Sequence, residues 1–474
     1  MGLSDNLSVA RNLKIALFHL GSGMADVLAT GIWNRIMISD LGFSATPIGL
    51  LVSLRYFLAP LGVWAGRMSD RRAVGGFRRL FWIWFGRALM VLSLLMLGAT
   101  TASLARGTPT TPLIWLSLSG ALLLFSFGNA ISGTTFLALI YDRAPENQRG
   151  RAVGLVWTFL LMGFSVGGIL FGIMLPSGQH FISLADVGTS VLAADFRRIG
   201  FLSFEPDTLQ NLFIGAAIIL GSLWFFSLVG EERRIRTQPT TAEAQHGDGL
   251  MADLRLAWSN RQTRLYFWYL SLSMIFAFTQ DLILEPFAAE VFEMSARHTT
   301  RFAAYWGSMS ILGTLIFLYL SRRYKSLTNT RVCQIGVWVL LATFAVFGVS
   351  ALAQVRGLVT PGLILLGIGL GIWNVGTLGL MMDMSPFGSA GTFLGFWSLV
   401  STMGRGIGVS AGGILRDGML ALTGGDLPLT YGAVFVIEFV GLGVALLVLS
   451  RINVNAFKRV EQSDTATVFA TALD

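Results

Sequence analysis

The chain has 474 residues, of which 54% are hydrophobic and 13% charged, with a mean hydropathy of +0.67. A soluble domain carries about 25% charged residues, so a chain this poor in charge cannot coat a globular surface, and a large soluble protein is excluded. The formal net charge of +8 and pI near 10 do not point to nucleic acid, because the basic residues sit in short loops between apolar runs.

Apolar segments of spanning length fall near 15–38, 47–66, 80–101, 112–141, 151–175 and 211–230. Six more follow near 264–290, 301–320, 332–353, 359–383, 391–415 and 430–450. A helix needs about 20 residues to cross ~30 Å of hydrocarbon, so the pattern predicts an all-α membrane protein of twelve transmembrane helices. The expected organisation is a six-helix half over 1–230, a polar linker over 231–263, a second half over 264–451 and a tail over 452–474. Residues 249–259 suggest a surface helix within the linker. The first apolar run is long enough to span and is followed by no small-residue cleavage site, so it reads as a helix rather than a leader. The single cysteine, Cys333, excludes an intrachain disulfide and any thiolate cluster.

With the N-terminus assigned to the cytoplasm, 23 of the 34 Lys and Arg residues fall in cytoplasmic segments, seven in external loops and four within spans. Arg416 is among the external seven. This bias predicts both termini in the cytoplasm and a cytoplasmic face that favours anionic lipid.

The halves repeat each other. Asp142-Arg-Ala-Pro145, followed by Gly154 and Trp157, has a counterpart in Asp383-Met-Ser-Pro386, followed by Gly395 and Trp397. A tandem duplication of this kind places a ligand site near the midplane, between the halves.

Polar residues inside spans are costly and face a bundle interior or a cavity. The first helix carries His19, Ser22, Gly23, Asp26 and Thr30, whose offsets put them on one face at about 100° per residue. The seventh carries Gln280, Asp281 and Glu285, followed by Pro286, which should kink the helix and free the carbonyl of Leu282. Arg35 and Arg87 lie close enough to helix ends to snorkel. Arg55 lies about 12 Å into the second helix and Arg405 about 21 Å into the eleventh. Arg405 therefore needs a partner among Asp26, Asp281, Glu285 or Glu438, either as a static interhelix pair or as one that faces substrate. His19 is a candidate axial ligand for a metal centre, since neutral imidazole suits that role and Gly21, Ser22 and Gly23 leave room for a flat macrocycle. A satisfied interior histidine is the commoner case.

The loop after the second helix, Gly66-Arg-Met-Ser-Asp70-Arg71-Arg72 with Gly75, Gly76, Arg78 and Arg79 beyond it, resembles the cytoplasmic loop signature of the major facilitator superfamily. In this reading the glycine lets helix ends pack closely, while the aspartate serves a neighbouring helix N-terminus and pairs with arginine. The corresponding loop of the second half, Ser321 to Lys325, keeps the charge without the aspartate.

Two further blocks are more specific: Ala25-Asp26-Val-Leu-Ala-Thr-Gly31-Ile-Trp-Asn34-Arg35-Ile-Met37-Ile and Gln280-Asp281-Leu-Ile-Leu-Glu285-Pro286-Phe-Ala-Ala-Glu290-Val-Phe292. They resemble the PucC/LhaA family of bacteriochlorophyll-delivery major facilitators, and the likeness runs along essentially the whole chain. Departures are modest: Ala288 and Ala289 stand where the family usually has glycines, Trp33 where it has leucine, and Asp40 where it has glutamate. The resemblance implies a non-enzymatic assembly factor for light-harvesting antenna complexes, in an intracytoplasmic photosynthetic membrane. It implies bacteriochlorophyll as cofactor, with carotenoid as a second pigment, and makes His19 a pigment-ligand candidate. Implied partners are membrane lipid, antenna polypeptides, chlorophyll synthase and a membrane insertase. The rival is a proton-coupled transporter of a small solute in which Asp26, Asp281 and Glu285 titrate. An enzyme finds no support, for there is no Asp-rich metal motif, nucleotide loop or nucleophile with its base. The external insert 176–210 reads as a loop resting on the bilayer or, through Phe181, Phe196, Arg197, Arg198, Phe201 and Phe204, as an interfacial helix for a partner.

Overall fold

The computed structural model describes residues 9–143, 149–175, 206–232, 260–324, 326–385 and 390–457. Pro145, Pro386, nearly all of the insert 176–210, the expected surface helix 249–259 and most of the tail lie outside the described residues. In the first half run α1 (Ala10–Asp40), α2 (Ala45–Asp70), α3 (Leu80–Ala105), α4 (Pro112–Arg143), α5 (Arg149–Met174) and α6 (Pro206–Phe226). The second half holds α7 (Arg261–Phe292), α8 (Ala296–Arg323), α9 (Asn329–Leu352), α10 (Val359–Asp383), α11 (Ala390–Leu422) and α12 (Leu427–Ser450). Eleven of these are long and apolar enough to cross a membrane. The other, α11, has 33 residues and is of spanning length, but carries Arg405, Arg416 and Asp417 along its course. Arg416 thus lies within a helix and is buried, not in an external loop as its sequence neighbours suggest.

The two halves use the same packing plan. In the first, α1 lies on α5 and α6, α3 on α4 and α6, and α2 on α4. In the second, α7 lies on α11 and α12, α9 on α10 and α12, and α8 on α10. The halves meet chiefly where α2 lies on α11 and α5 on α8. Without a hydrophobic driving force between helices in lipid, small residues decide where backbones approach. A Cβ placed on Gly23 would lie 2.1 Å from the Leu160 carbonyl, and one on Gly413 would lie 2.4 Å from the Ala45 carbonyl across the seam. Substitution at either position must push a pair of helices apart.

Two local features shape the centre. Helix α1 widens into π turns over Val27–Ile32 and Ile36–Asp40, and α7 is interrupted at Thr279. Wide turns of this kind are frequent at functional sites.

Candidate functional site

The polar residues of α1 divide between two surroundings. His19 and Ser22 point into the first half, whereas Asp26, Thr30 and Gly31 line a small cavity between the halves together with Gln280, Asp281, Glu285 and Arg405. Its volume of ≈ 30 Å³ has room for a water or two at about 10–15 Å³ each. It has no room for a macrocycle. The Glu285 carboxylate sits over Gly31, where an added Cβ would come 3.2 Å from Oε1.

Both deep arginines find acidic partners, and each does so within its own half. Arg55 donates to Asp26 at 2.7 Å, and Arg405 donates to Asp281 at 2.7 Å through Nη2 and 3.2 Å through Nε. Of the four partners the sequence offers for Arg405, the structure chooses Asp281. Gln280 steadies the other Asp281 oxygen from 2.7 Å. Glu438, also offered, lies fully buried on α12 with neither carboxylate oxygen hydrogen-bonded among the described residues. The two pairs meet at Tyr56. Arg55 donates to its hydroxyl, and the Arg405 guanidinium stands 5.4 Å from its ring centroid, within cation–π range.

Beyond the cavity, towards the end opposite the chain termini, the seam tightens. Pro286 cannot donate to the Leu282 carbonyl, and Asn34 of α1 does so instead, at 2.9 Å. The fully buried Asn34 therefore satisfies in trans the acceptor that the proline leaves open. Its neighbour Arg35 pairs with Asp40 and reaches the Met294 carbonyl of the second half at 3.2 Å. Arg35 is 4% exposed, so it is a seam residue and does not snorkel. Asp417 of α11 accepts the first amides of α2, from Ala45 at 3.0 Å and Thr46 at 2.7 Å. Arg297 donates to the last carbonyls of α5, Leu175 at 2.7 Å and Ile173 at 3.3 Å. Each half thus caps a helix of the other. Glu290 completes this end by accepting from Arg416 at 2.7 Å and from Tyr431 at 2.7 Å. Asp417, Arg297, Arg416 and Tyr431 were not singled out by sequence as site residues. Only Arg416 and Asp417, charges placed late in an apolar run, leave a signal there.

Arg87 also departs from the snorkelling expectation. It lies 3% exposed inside the first half, over the rings of Phe18 (4.4 Å) and Trp224 (4.6 Å), and donates to Ser22 at 3.0 Å. Aromatic faces take the place of lipid headgroups. His19 is stacked beside it, 4.8 Å from Phe136, with the Trp157 ring edge-on at 6.0 Å. Its Nδ1 is buried without a partner among the described residues. The glycines beside it do not leave a cleft. A Cβ on Gly21 would meet Trp224 Nε1 at 2.7 Å, and that on Gly23 meets α5. The residues around His19 therefore do not fit a macrocycle.

At the end that bears the termini, the loop motif works as a bolt inside the first half. Gly66 packs against Thr134 of α4. Asp70 pairs with Arg78 at 2.9 Å and Arg79 at 2.6 Å, and Arg79 continues to Asp142 at 3.0 Å. Arg71 ends its helix and Arg72 leaves it exposed in extended backbone. Gly75 and Gly76, both at positive φ, close the two-residue turn between Val74 and Phe77. The N-terminus of α3 is served by Glu232 and not by Asp70: its carboxylate accepts from Arg78 N at 2.8 Å, Arg79 N at 3.0 Å and Leu80 N at 2.7 Å. The neighbouring Glu231 holds Arg11 at 2.8 Å and Lys14 at 3.4 Å, joining α6 to the start of α1. Sequence reasoning missed both glutamates because they fall at the edge of the linker. In the second half the repeated Asp383 accepts from Asn329 at 2.9 Å.

Comparison with known proteins bears on this arrangement. The family described as PUCC protein matches residues 32–457. The chain is 28% identical over 431 residues to Protein PucC of Rhodovulum sulfidophilum, covering 87% of this chain and 86% of that one. It is 29% identical over 465 residues to Protein PucC of Cereibacter sphaeroides, covering 94% and 92%. A protein of Rhodobacter capsulatus named bacteriochlorophyll synthase 44.5 kDa chain is 28% identical over 418 residues, covering 85% and 86%. Among solved structures, a bacterial homologue of the human lysosomal transporter Spinster superposes with a TM-score of 0.67 at 16% identity, covering 96% of this chain and 98% of that one. The nucleoside transporter NupG gives 0.64 at 14%, covering 93% and 98%. These likenesses establish the major facilitator fold expected from the loop signature.

Proposed function

This chain belongs to the PUCC protein family, and from that premise we propose that it is a non-enzymatic assembly factor for bacterial light-harvesting antenna complexes, binding or delivering bacteriochlorophyll and chaperoning antenna polypeptides. The observation that carries this reading is the family match over nearly the whole chain, and the name of one relative joins that relative to bacteriochlorophyll. The central cavity of ≈ 30 Å³ favours pigment handling on the outward faces. Those faces offer large apolar side chains, Phe439, Val440 and Val444 on α12 and Leu113, Leu116 and Leu123 on α4. Beside them Gly443 and Gly120 have open space where a Cβ would stand. Large apolar groups beside open glycines suit the packing of a partner helix or the face of a flat ring. In this proposal the chain resides in the intracytoplasmic photosynthetic membrane with both termini cytoplasmic.

The test is a near-infrared absorption spectrum of protein purified in mild detergent from a pigment-making host. A stoichiometric bacteriochlorophyll band, with antenna polypeptides in the preparation, is the expected result. Absence of both band and polypeptides would overturn the proposal.

A second reading, proton-coupled transport of a small solute, is favoured by one observation: Asp26, Asp281 and Glu285 line one cavity between the halves. Asp281→Asn should abolish proton-coupled flux if that reading holds. Under the assembly reading the same variant supports antenna assembly.

A further inference from the structure

A second cavity, of ≈ 400 Å³, lies at the end opposite the termini, in the outer rim of the second half. Its polar wall is made by His298, Arg301 and Arg356, and its apolar wall by Met294, Phe302 and Tyr305. Neither Arg301 nor Arg356 is paired with a carboxylate among the described residues, in contrast to Arg35, Arg55, Arg405 and Arg416. The neighbouring Arg297 is already committed to the α5 carbonyls. His298 uses Nδ1 on Ser295 at 2.7 Å, which leaves Nε2 for another group.

Backbone charge adds to side-chain charge at this place. The 22-residue stretch of α8 from Phe302 and the 25-residue α10 from Val359 both begin in the cavity wall, and neither start is capped by a side chain. The positive ends of two helix dipoles therefore face the same space as two guanidinium groups that have no carboxylate partner among the described residues. Phosphate is the group that such a convergence holds.

Depth identifies the carrier of the phosphate. Arg356 and Ala296 are the first residues of their spans, so the cationic wall stands at headgroup level. Tyr305 is 45% exposed, and Leu352, Val355 and Leu312 continue the exposed apolar surface around and below it. A soluble anion has no use for that surface, whereas an acyl chain does.

We infer that this cavity is a binding site for an anionic phospholipid, with the headgroup phosphate held by Arg301 and Arg356, and an acyl chain laid past Tyr305. The inference does not depend on the role in antenna assembly.

Native mass spectrometry of the detergent-purified full chain, supplied with equal phosphatidylglycerol and phosphatidylcholine, tests it. Phosphatidylglycerol should be retained roughly tenfold over phosphatidylcholine, as expected for a charge-assisted phosphate site. Arg301→Gln with Arg356→Gln should remove that preference, and Arg301→Lys with Arg356→Lys should keep most of it. If the double glutamine variant is not recovered monodisperse, Arg356→Gln alone, at an exposed position, should lower retention about threefold. Equal retention of the two lipids by the native protein, or unchanged preference in the glutamine variants, overturns the inference. Complete displacement of phosphatidylglycerol by millimolar inorganic phosphate also overturns it, and assigns the cavity to the free anion.

Discussion

The seam between the halves is built differently at the midplane and at the end opposite the termini. At the midplane Asp26 pairs with Arg55 and Asp281 with Arg405, each inside its own half; Tyr56 meets both arginines, and the neutral bond from Ser410 to Ser53 at 2.8 Å crosses the seam. At the far end the bonds cross the seam: Asn34 to Leu282, Arg35 to Met294, Asp417 to the start of α2, and Arg297 to the end of α5. Halves joined in this way can separate at their centre without breaking an ion pair, but not at the far end without uncapping two helices. The midplane is thus the compliant region of the seam, and the far end is its clasp.

Removing a charge from the clasp should therefore cost most. Arg35 and Asp40 are 5% and 1% exposed at their side chains, and breaking a buried pair costs about 3–5 kcal/mol because one charge is left uncompensated. Arg35→Ala should lower the thermal unfolding midpoint in detergent steeply, and Asp40→Asn in the same chain should restore some of the loss. A decrease no larger than that of Arg55→Ala, whose partner Asp26 faces the cavity at 26% exposure, would show that clasp and midplane are equivalent.

The neutral bonds of the clasp give a smaller and more specific effect. Asn34→Leu should cost ~1–3 kcal/mol by orphaning the Leu282 carbonyl. Pro286→Ala supplies a new amide to that carbonyl from within α7, so the cost of Asn34→Leu should fall by about 1 kcal/mol in that background. Additive effects would mean that the proline and the asparagine do not share the acceptor. Asp417→Ala comes next, at about 1 kcal/mol for a lost cap. Its clearer signature is faster thiol labelling of Thr46→Cys, against a low background because the native Cys333 is buried.

How much of this was legible in advance depended on the range of the interaction. Spans, the tandem repeat and the acidic blocks of α1 and α7 were legible because apolar length and charge are local properties of the chain. The open carbonyl at Leu282 followed from Pro286 alone. Its donor, 248 residues away, did not, since sequence gives no register between helices of different halves. Arg35 and Arg87 were misread for the same reason. Proximity to a helix end is visible in sequence, but a Met294 carbonyl or the rings of Phe18 and Trp224 at the guanidinium are not. Glu231 and Glu232 lie at the edge of a polar linker, where composition says only that a helix has ended. The polar stripe on α1 was legible as a stripe, but not its division between Arg87 of the first half, which Ser22 meets, and the central cavity, which Asp26 and Thr30 line.

The smallest effect is expected away from the seam, at His19. Its substitution removes neither a bond across the halves nor a bond of the midplane pairs. Its ring is held between Phe136 and Trp157, and the clearance that Gly21 and Gly23 provide is taken by Trp224 and by the α5 backbone. A pigment carried on the outward faces should therefore keep its near-infrared band, in position and amount, in His19→Ala. Stability would fall only by the packing lost from a core ring. A band that shifts or vanishes would require α5 and α6 to withdraw from α1 by more than a ring's thickness. The close approach of α1 and α5 at Gly23, where an added Cβ would lie 2.1 Å from the Leu160 carbonyl, would then have to open. In that outcome the compliant region of the molecule would lie inside the first half and not at the midplane between the halves.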